Sequence, residues 1–261
     1  MATTPYLVTR GVVLRETETR ETDKILTLLT PDHGKIAVIA RGARRKNCRF
    51  TAAAQALAFS EWTLYHRGDW YYANEGETLE LFAGLRKNLS QMSLGFYLAE
   101  LTEAVTLEEV PAGELLRHLL NGLYAMDRLH KPEALVKAAF EFRLLCLSGY
   151  EPLAEACAVC GKEQPTEPVL DAVQGVVRCR SCGSPTGQIL PLCADSLAAL
   201  RHIVYGDPKR LYSFSLPEDA LRRLSCAAET YTAVQLEREF RTLDFYKGLQ
   251  KASCPSKMVK N

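Results

Sequence analysis

"YLVTRGVVLRETETRETDKILTLLTPDHGKIAVIARG", residues 6–42, decides how the first third of the chain folds. Three runs within it, Tyr6–Leu14, Lys24–Thr30 and Lys35–Gly42, are short and rich in β-branched residues. Such side chains favour strands because they pack well on a pleated surface. Between the second and third runs, "TPDHGK" supplies Pro31 and Gly34 for a turn. Two more runs follow, Ala56–His66 and Trp70–Leu81, separated by a turn at Gly68. Five short strands without a long helix predict a small closed β-barrel. The OB-fold is the commonest five-stranded version. An SH3-like or open β-domain is the alternative that the pattern leaves open.

Past residue 81 the periodicity changes. From about Asn88 to Ser148 it is helical, and in Pro132–Leu147 the residues Leu135, Val136, Ala139, Phe140, Leu144 and Leu147 share one face. Pro132 suits the start of that helix and Gly149 the position just past its end. Glu133, Lys137 and Glu141 lie four apart on another face, where they are expected to pair along the helix. Helical pattern resumes near Asp195 and runs to about Gln250, with a break at Gly206–Pro208 and a restart near Ser215. "KASCPSKMVKN" at the end reads as a loose basic tail. Cys146 and Cys226 sit inside helical patterns and read as small buried hydrophobes.

Between the helical stretches lies "CAVCGKEQPTEPVLDAVQGVVRCRSC", Cys157–Cys182. Two C-x2-C pairs with eighteen residues between them have zinc-ribbon spacing. Each pair puts two thiolates on one tight turn, and Gly161 and Gly183 after the pairs let the backbone bend. Zinc takes four sulfurs tetrahedrally, so Cys157, Cys160, Cys179 and Cys182 are the expected ligands of a structural Zn2+. The alternative is four free thiols. A closed set of four thiolates leaves no position for water, so the metal would hold the chain in shape and do no chemistry. Zinc with four thiolates carries a formal charge of about −2, which Lys162, Arg178 and Arg180 are placed to offset.

The expected layout is α+β and multidomain: an OB-fold barrel over 1–81, a helical domain over 82–154, a four-cysteine module over 155–186 inserted into it, and the rest of the helical domain over 187–261. The chain has 261 residues, 24% of them charged, and a net charge of +1, so no global field draws it to a polyanion. "MATTPYLVTRG" has no signal-peptide core, and no apolar run reaches bilayer length, from which a cytoplasmic protein is expected. Nine cysteines, four in metal spacing, fit a reducing compartment better than a disulfide framework. Catalytic motifs are missing from the sequence. It has no G-x-G, no phosphate-binding G-x-x-x-x-G-K-[ST], no H-E-x-x-H and no G-x-S-x-G.

Charge is nevertheless concentrated at one place. Between His33 and Ser60 there are six basic residues and no acid: Lys35, Arg41, Arg44, Arg45, Lys46 and Arg49. Five of them lie in "RGARRKNCR", between the third and fourth strands. OB-fold loops track nucleic-acid backbones with such residues. A solvated basic loop is the plainer alternative. Trp62, Tyr65, Trp70, Tyr71 and Tyr72 lie nearby and could supply base stacking, but small barrels fill their interiors with rings of this kind, so these aromatics are expected in the barrel core.

Two blocks carry a resemblance to a known family. "RGVVLRETETRETDKILTLLTPDHGKIAVIARGARR", with the acidic pair Glu21 and Asp23, then Thr30, Gly34 and "ARGARR", is one. "FEFRLLCLSGYEPLAEACAVCG" (Phe140–Gly161) with "GVVRCRSC" is the other. Together they resemble the RecO recombination mediators of bacteria. The resemblance implies an OB-fold, a helical domain and an inserted zinc module. It also implies binding to single-stranded and double-stranded DNA, annealing of complementary strands, and, with RecR, loading of RecA onto strands coated by single-strand-binding protein. It implies a docking site for that protein's acidic C-terminal tail on the helical domain. Arg117, Arg128, Lys131, Lys137 and Arg143 are candidate cations there, and an ordinary surface charge pairing along its own helix is the alternative for each. Lys35, Arg41, Arg44, Arg45 and Lys46 match the family's basic stretch, and Arg49 follows from its neighbours. No ATP is required, in keeping with the missing phosphate motifs. An RNA-binding accessory factor is the alternative reading, because OB-folds and zinc ribbons also occur in translation and transcription proteins.

Overall fold

The computed structural model describes residues 6–183 and 187–253. Most of the basic tail and the last three residues of the expected 155–186 module lie outside the described residues. Five strands open the chain: β1 (Tyr6–Thr19), β2 (Asp23–Thr30), β3 (Gly34–Ala40), β4 (Phe59–Arg67) and β5 (Trp70–Glu80). They close in the order β1-β2-β3-β5-β4, with β3 and β5 parallel and every other neighbouring pair antiparallel. This is the five-stranded barrel that the β-branched runs predict.

Closure rests on β1. Its first half, Tyr6–Val12, pairs with β4, and its second half, Val12–Thr19, pairs with β2. An irregularity between Val13 and Arg15 bends the strand between these two partners. Alternation sends Leu26 and Leu28, Ile36 and Val38, and Trp62 and Leu64 into one buried cluster. Trp62 fits because Gly76 faces it on β5. A Cβ at residue 76 would come within 2.9 Å of the indole ring.

The helices are α1 (Leu89–Val105), α2 (Gly113–Asp127), α3 (Glu133–Leu147), α4 (Ala194–Tyr205), α5 (Glu218–Leu236) and α6 (Arg241–Ser253). None is long and apolar enough to cross a membrane. Packing divides the chain into two units. Among the described residues, the first joins residues 6–128 to residues 240–253, so α1, α2 and α6 belong with the barrel. Asn88 caps α1 by accepting from the N–H groups of Ser90 and Gln91. α6 returns to α1 through an edge-on contact of Phe240 with Tyr97 and a hydrogen bond from the Thr242 hydroxyl to Glu100.

The second unit, residues 129–239, holds α3, α4, α5 and a small sheet of β6 (Pro168–Asp171), β7 (Val176–Cys179) and β8 (Ile189–Pro191) in the order β7-β6-β8. Three sequence expectations change here. Lys137 pairs with Glu141 along α3, as expected, but not on a solvent face. It is buried at 3% exposure, between Glu141, which is fully buried, and Glu229 of α5. α3 packs along α5, and the charged face of one helix meets an acid of the other. Cys226 is exposed, because Leu224, Ala227, Ala228 and Tyr231 form the buried face of α5 and residue 226 falls off it. The long helical run after Asp195 breaks a second time, at Glu237, which adopts φ 48° and ends α5 without a glycine to announce it.

Candidate nucleic-acid interface and metal centre

The stretch between β3 and β4 is a series of tight turns, not a free loop. Ala43, Phe50, Ala53 and Ala54 point into the barrel and belong to its core. Between those anchors, Arg44, Arg45, Lys46 and Arg49 are exposed. One end is fixed by Asp23, which accepts from the Gly42 N–H at 2.8 Å. That bond holds the Asp23 carboxyl below its usual range against the opposing effect of desolvation, helped by the Thr22 hydroxyl and by the charges of Arg20 and Arg41. Gly42 sits at φ 66°, in the left-handed region that glycine tolerates. The Arg44 N–H donates to the Thr22 carbonyl. Thr51 bonds back to the carbonyls of Ala43 and Cys48. Buried alanines underneath and basic side chains above therefore follow from the same short segment.

The six basic residues do not share one environment. Arg45, Lys46 and Arg49 are exposed and make no ion pair among the described residues. Arg44 reaches Glu18 at 3.2 Å and the Glu21 carbonyl at 3.3 Å. That pair is largely exposed, so it costs little to give up. Arg41 lies over the ring of Tyr72, 4.8 Å from its centre. Lys35 stands apart on β3, half-buried, donating to the Glu103 carbonyl near the end of α1 at 3.2 Å. It is the least available of the six.

The aromatics depart from expectation. Trp62 is buried in the barrel and Tyr71 packs against the core, as expected. Tyr65 and Trp70 are exposed, and Tyr72 is half-buried beneath Arg41. The pleat explains the split, since neighbouring residues on β5 point to opposite faces.

In the second unit the four cysteine sulfurs lie within 4.8 Å of one another, close enough to hold one metal ion. An ion with four sulfur bonds of about 2.3 Å sets its sulfurs about 3.8 Å apart, and Cys160 and Cys179 are 3.9 Å apart. Gly161 and Gly183 adopt φ 70° and 80°, completing the two turns. Backbone N–H groups already solvate the sulfurs. Thr166 donates to Cys179 at 3.2 Å, and Cys179 donates to Cys157 at 3.3 Å. Burial works to raise the Cys157 thiol, but N–H groups of Cys160, Cys179 and Val159 outweigh it and bring it down to about 6. Cys182 moves the other way, pushed up to about 12 by neighbouring Cys160 and by burial. One thiolate thus makes the next harder to form, a conflict that a cation at the centre removes.

Two arginines hold this module. Arg178 is buried, donates to the Cys182 carbonyl and faces Asp171 at 3.8 Å. Arg201, on α4, spans the carbonyls of Ala154, Glu155 and Glu163 around the first turn. Nothing in the sequence marks Arg201, because its partners are backbone atoms. Lys162 instead bonds the Thr166 hydroxyl.

Comparison with known proteins bears on both halves. Residues 1–82 match the family described as Recombination protein O N terminal, and residues 86–244 match Recombination protein O C terminal. A DNA repair protein RecO of Acetivibrio thermocellus is 30% identical over 249 residues, which is 95% of this chain and 99% of that one. DNA repair protein RecO of Thermoanaerobacter sp. is 28% identical, covering 94% of this chain and 98% of its own. The protein of that name from Symbiobacterium thermophilum is 30% identical, covering 93% of this chain and 97% of its own.

Proposed function

The chain belongs to the RecO family of DNA repair proteins, and from that premise we propose that it is a non-catalytic mediator of recombination. It binds single-stranded and duplex DNA and anneals complementary strands. With RecR, it helps load RecA onto strands coated by single-strand-binding protein. The observation that carries this reading is the group of exposed basic side chains on a segment anchored in a closed barrel. Lys and Arg displayed this way meet phosphates first, so binding depends weakly on sequence. Arg41, Arg44, Arg45, Lys46 and Arg49 are the proposed contacts, with Lys35 at their margin.

The metal is proposed to be zinc, bound by Cys157, Cys160, Cys179 and Cys182 in a closed structural site. Its place in the mechanism is to fix the module that Arg201 and Arg178 clasp. For the acidic tail of single-strand-binding protein, the exposed Arg117 is a better-placed cation than Lys137, which Glu141 and Glu229 already occupy. Arg128 pairs with Glu80 and Asp127, and Arg143 bonds the Val204 carbonyl.

Annealing of complementary strands by the pure protein, without ATP, tests the whole reading. The basic segment has a sharper test. Each phosphate contact on a single strand adds about 0.7 to the log–log salt slope. Changing Arg44 and Arg45 to Glu is therefore expected to lower the slope by about 1.4 and to weaken binding about 60-fold in about 50 mM salt, alike for all sequences. An unchanged slope in that double variant would put the DNA surface elsewhere.

A further inference from the structure

We propose that the outer face of β1, β4 and β5 is a base-stacking platform, on which a row of tyrosines receives the bases of a single strand. The inference rests on the DNA-binding reading above and extends it from phosphates to bases.

Register makes the row. Tyr6 on β1 lies directly opposite Tyr65 on β4, and Tyr65 lies opposite Tyr72 on β5. Residues opposite each other on neighbouring strands share a face, so the three rings stand side by side on the outside of the barrel. Tyr6 and Tyr65 are 49% and 36% exposed, with ring centres 5.5 Å apart. They border an open groove of about 320 Å³, lined also by Arg41, Arg67, Tyr72 and Asn74.

The chemistry of that lining selects the occupant. Two arginines and three tyrosines line it, and no carboxylate does among the described residues. Every base presents a π-face, and ring stacking with arginine nearby holds single strands of any sequence. An apolar protein segment would match the rings but leave both cations without anions. A polyanion with flat bases matches both. Continuity supports the same choice. Arg41 lines the groove and also opens the segment bearing Arg44, Arg45 and Lys46, so a strand whose phosphates follow that segment arrives at the tyrosines. Duplex DNA keeps its bases stacked on each other and gains nothing there.

The test separates stacking from charge. Tyr65→Ala and Tyr72→Ala are titrated with a poly-thymidine strand, an abasic strand of equal length and a duplex, each over a range of salt. On the thymidine strand, each variant is expected to bind about tenfold weaker at every salt concentration, with the slope unchanged. Tyr65→Phe should restore binding. The abasic strand and the duplex should not distinguish the variants from the parent. Parent-like binding of thymidine by both alanine variants would overturn the platform and leave the phosphate reading standing. A parent protein that binds no single strand would overturn both.

Discussion

Replacing Cys160 with serine is expected to strip the metal, open residues 153–193 and leave the barrel folded. The chain should carry one zinc before the change and none after it, by elemental analysis. A four-ligand zinc site in a small finger peptide is worth about 10–16 kcal/mol at neutral pH. With no metal bound, that contribution is lost whole, so the second unit should be destabilised by several kcal/mol, up to about 10–16. The geometry says where the loss is felt. The turn at Cys157–Lys162 and the strand end at Cys179 are tied through the sulfurs themselves, by N–H bonds from Thr166 and Cys179. The three strands behind them are only three or four residues long and cannot stand on their own ladder. Hydrogen exchange should therefore rise through β6 and β7 and reach the carbonyls that Arg201 holds, while β1 to β5 stay protected. A strong chelator added to the parent should give the same pattern. Unchanged melting of the serine variant, or no zinc in the parent, would count against a structural site.

The barrel strands and the cysteine turns were legible in the sequence because local rules dictate them. Alternation along β3 and β4, Gly34 and Gly68 at turns, and a glycine after each cysteine pair are written in short windows. What escaped depends on partners distant in sequence. Lys137 looks like a surface lysine until α5 brings Glu229 to it. Tyr65 and Tyr72 look like barrel filling until register shows that Trp62, Leu64 and Tyr71 already take the inward positions. The second break after Asp195 has no Gly or Pro, only a left-handed Glu237. The grouping of α6 with α1 rests on contacts between residues far apart in sequence, such as Tyr97 with Phe240, which no periodicity encodes. Of the candidate site, charge and spacing were visible in advance, but the difference between the exposed Arg45 and the engaged Lys35 was not.

Changing Lys137 to Met is expected to destabilise the second unit by about 3–5 kcal/mol, the range for breaking a buried ion pair from one side. Methionine nearly matches the lysine stem, so packing changes little. What changes is that Glu141, fully buried on α3, keeps its carboxylate and loses the ammonium 2.9 Å away. Glu229 is 26% exposed and can turn to water, so it suffers less. Changing Glu141 to Leu together with Lys137→Met should then recover most of the loss, since an apolar pair in a buried site does about as well as an ionic one. Urea unfolding, followed for the second unit, measures both variants. The sign of the pH dependence gives a further check. Burial alone would lower the pKa of Lys137, but Glu141 and Glu229 outweigh it and raise it above the ordinary lysine value. A raised folded pKa means that this contribution is fully present below about pH 10 and is lost as pH climbs through the folded value. The parent should hold its stability through neutral pH and fall in alkali. The double variant, with both charges of the α3 pair removed, should lack that part of the fall. A single variant within about 1 kcal/mol of the parent would mean that Glu141 finds another partner or takes up a proton at no great cost.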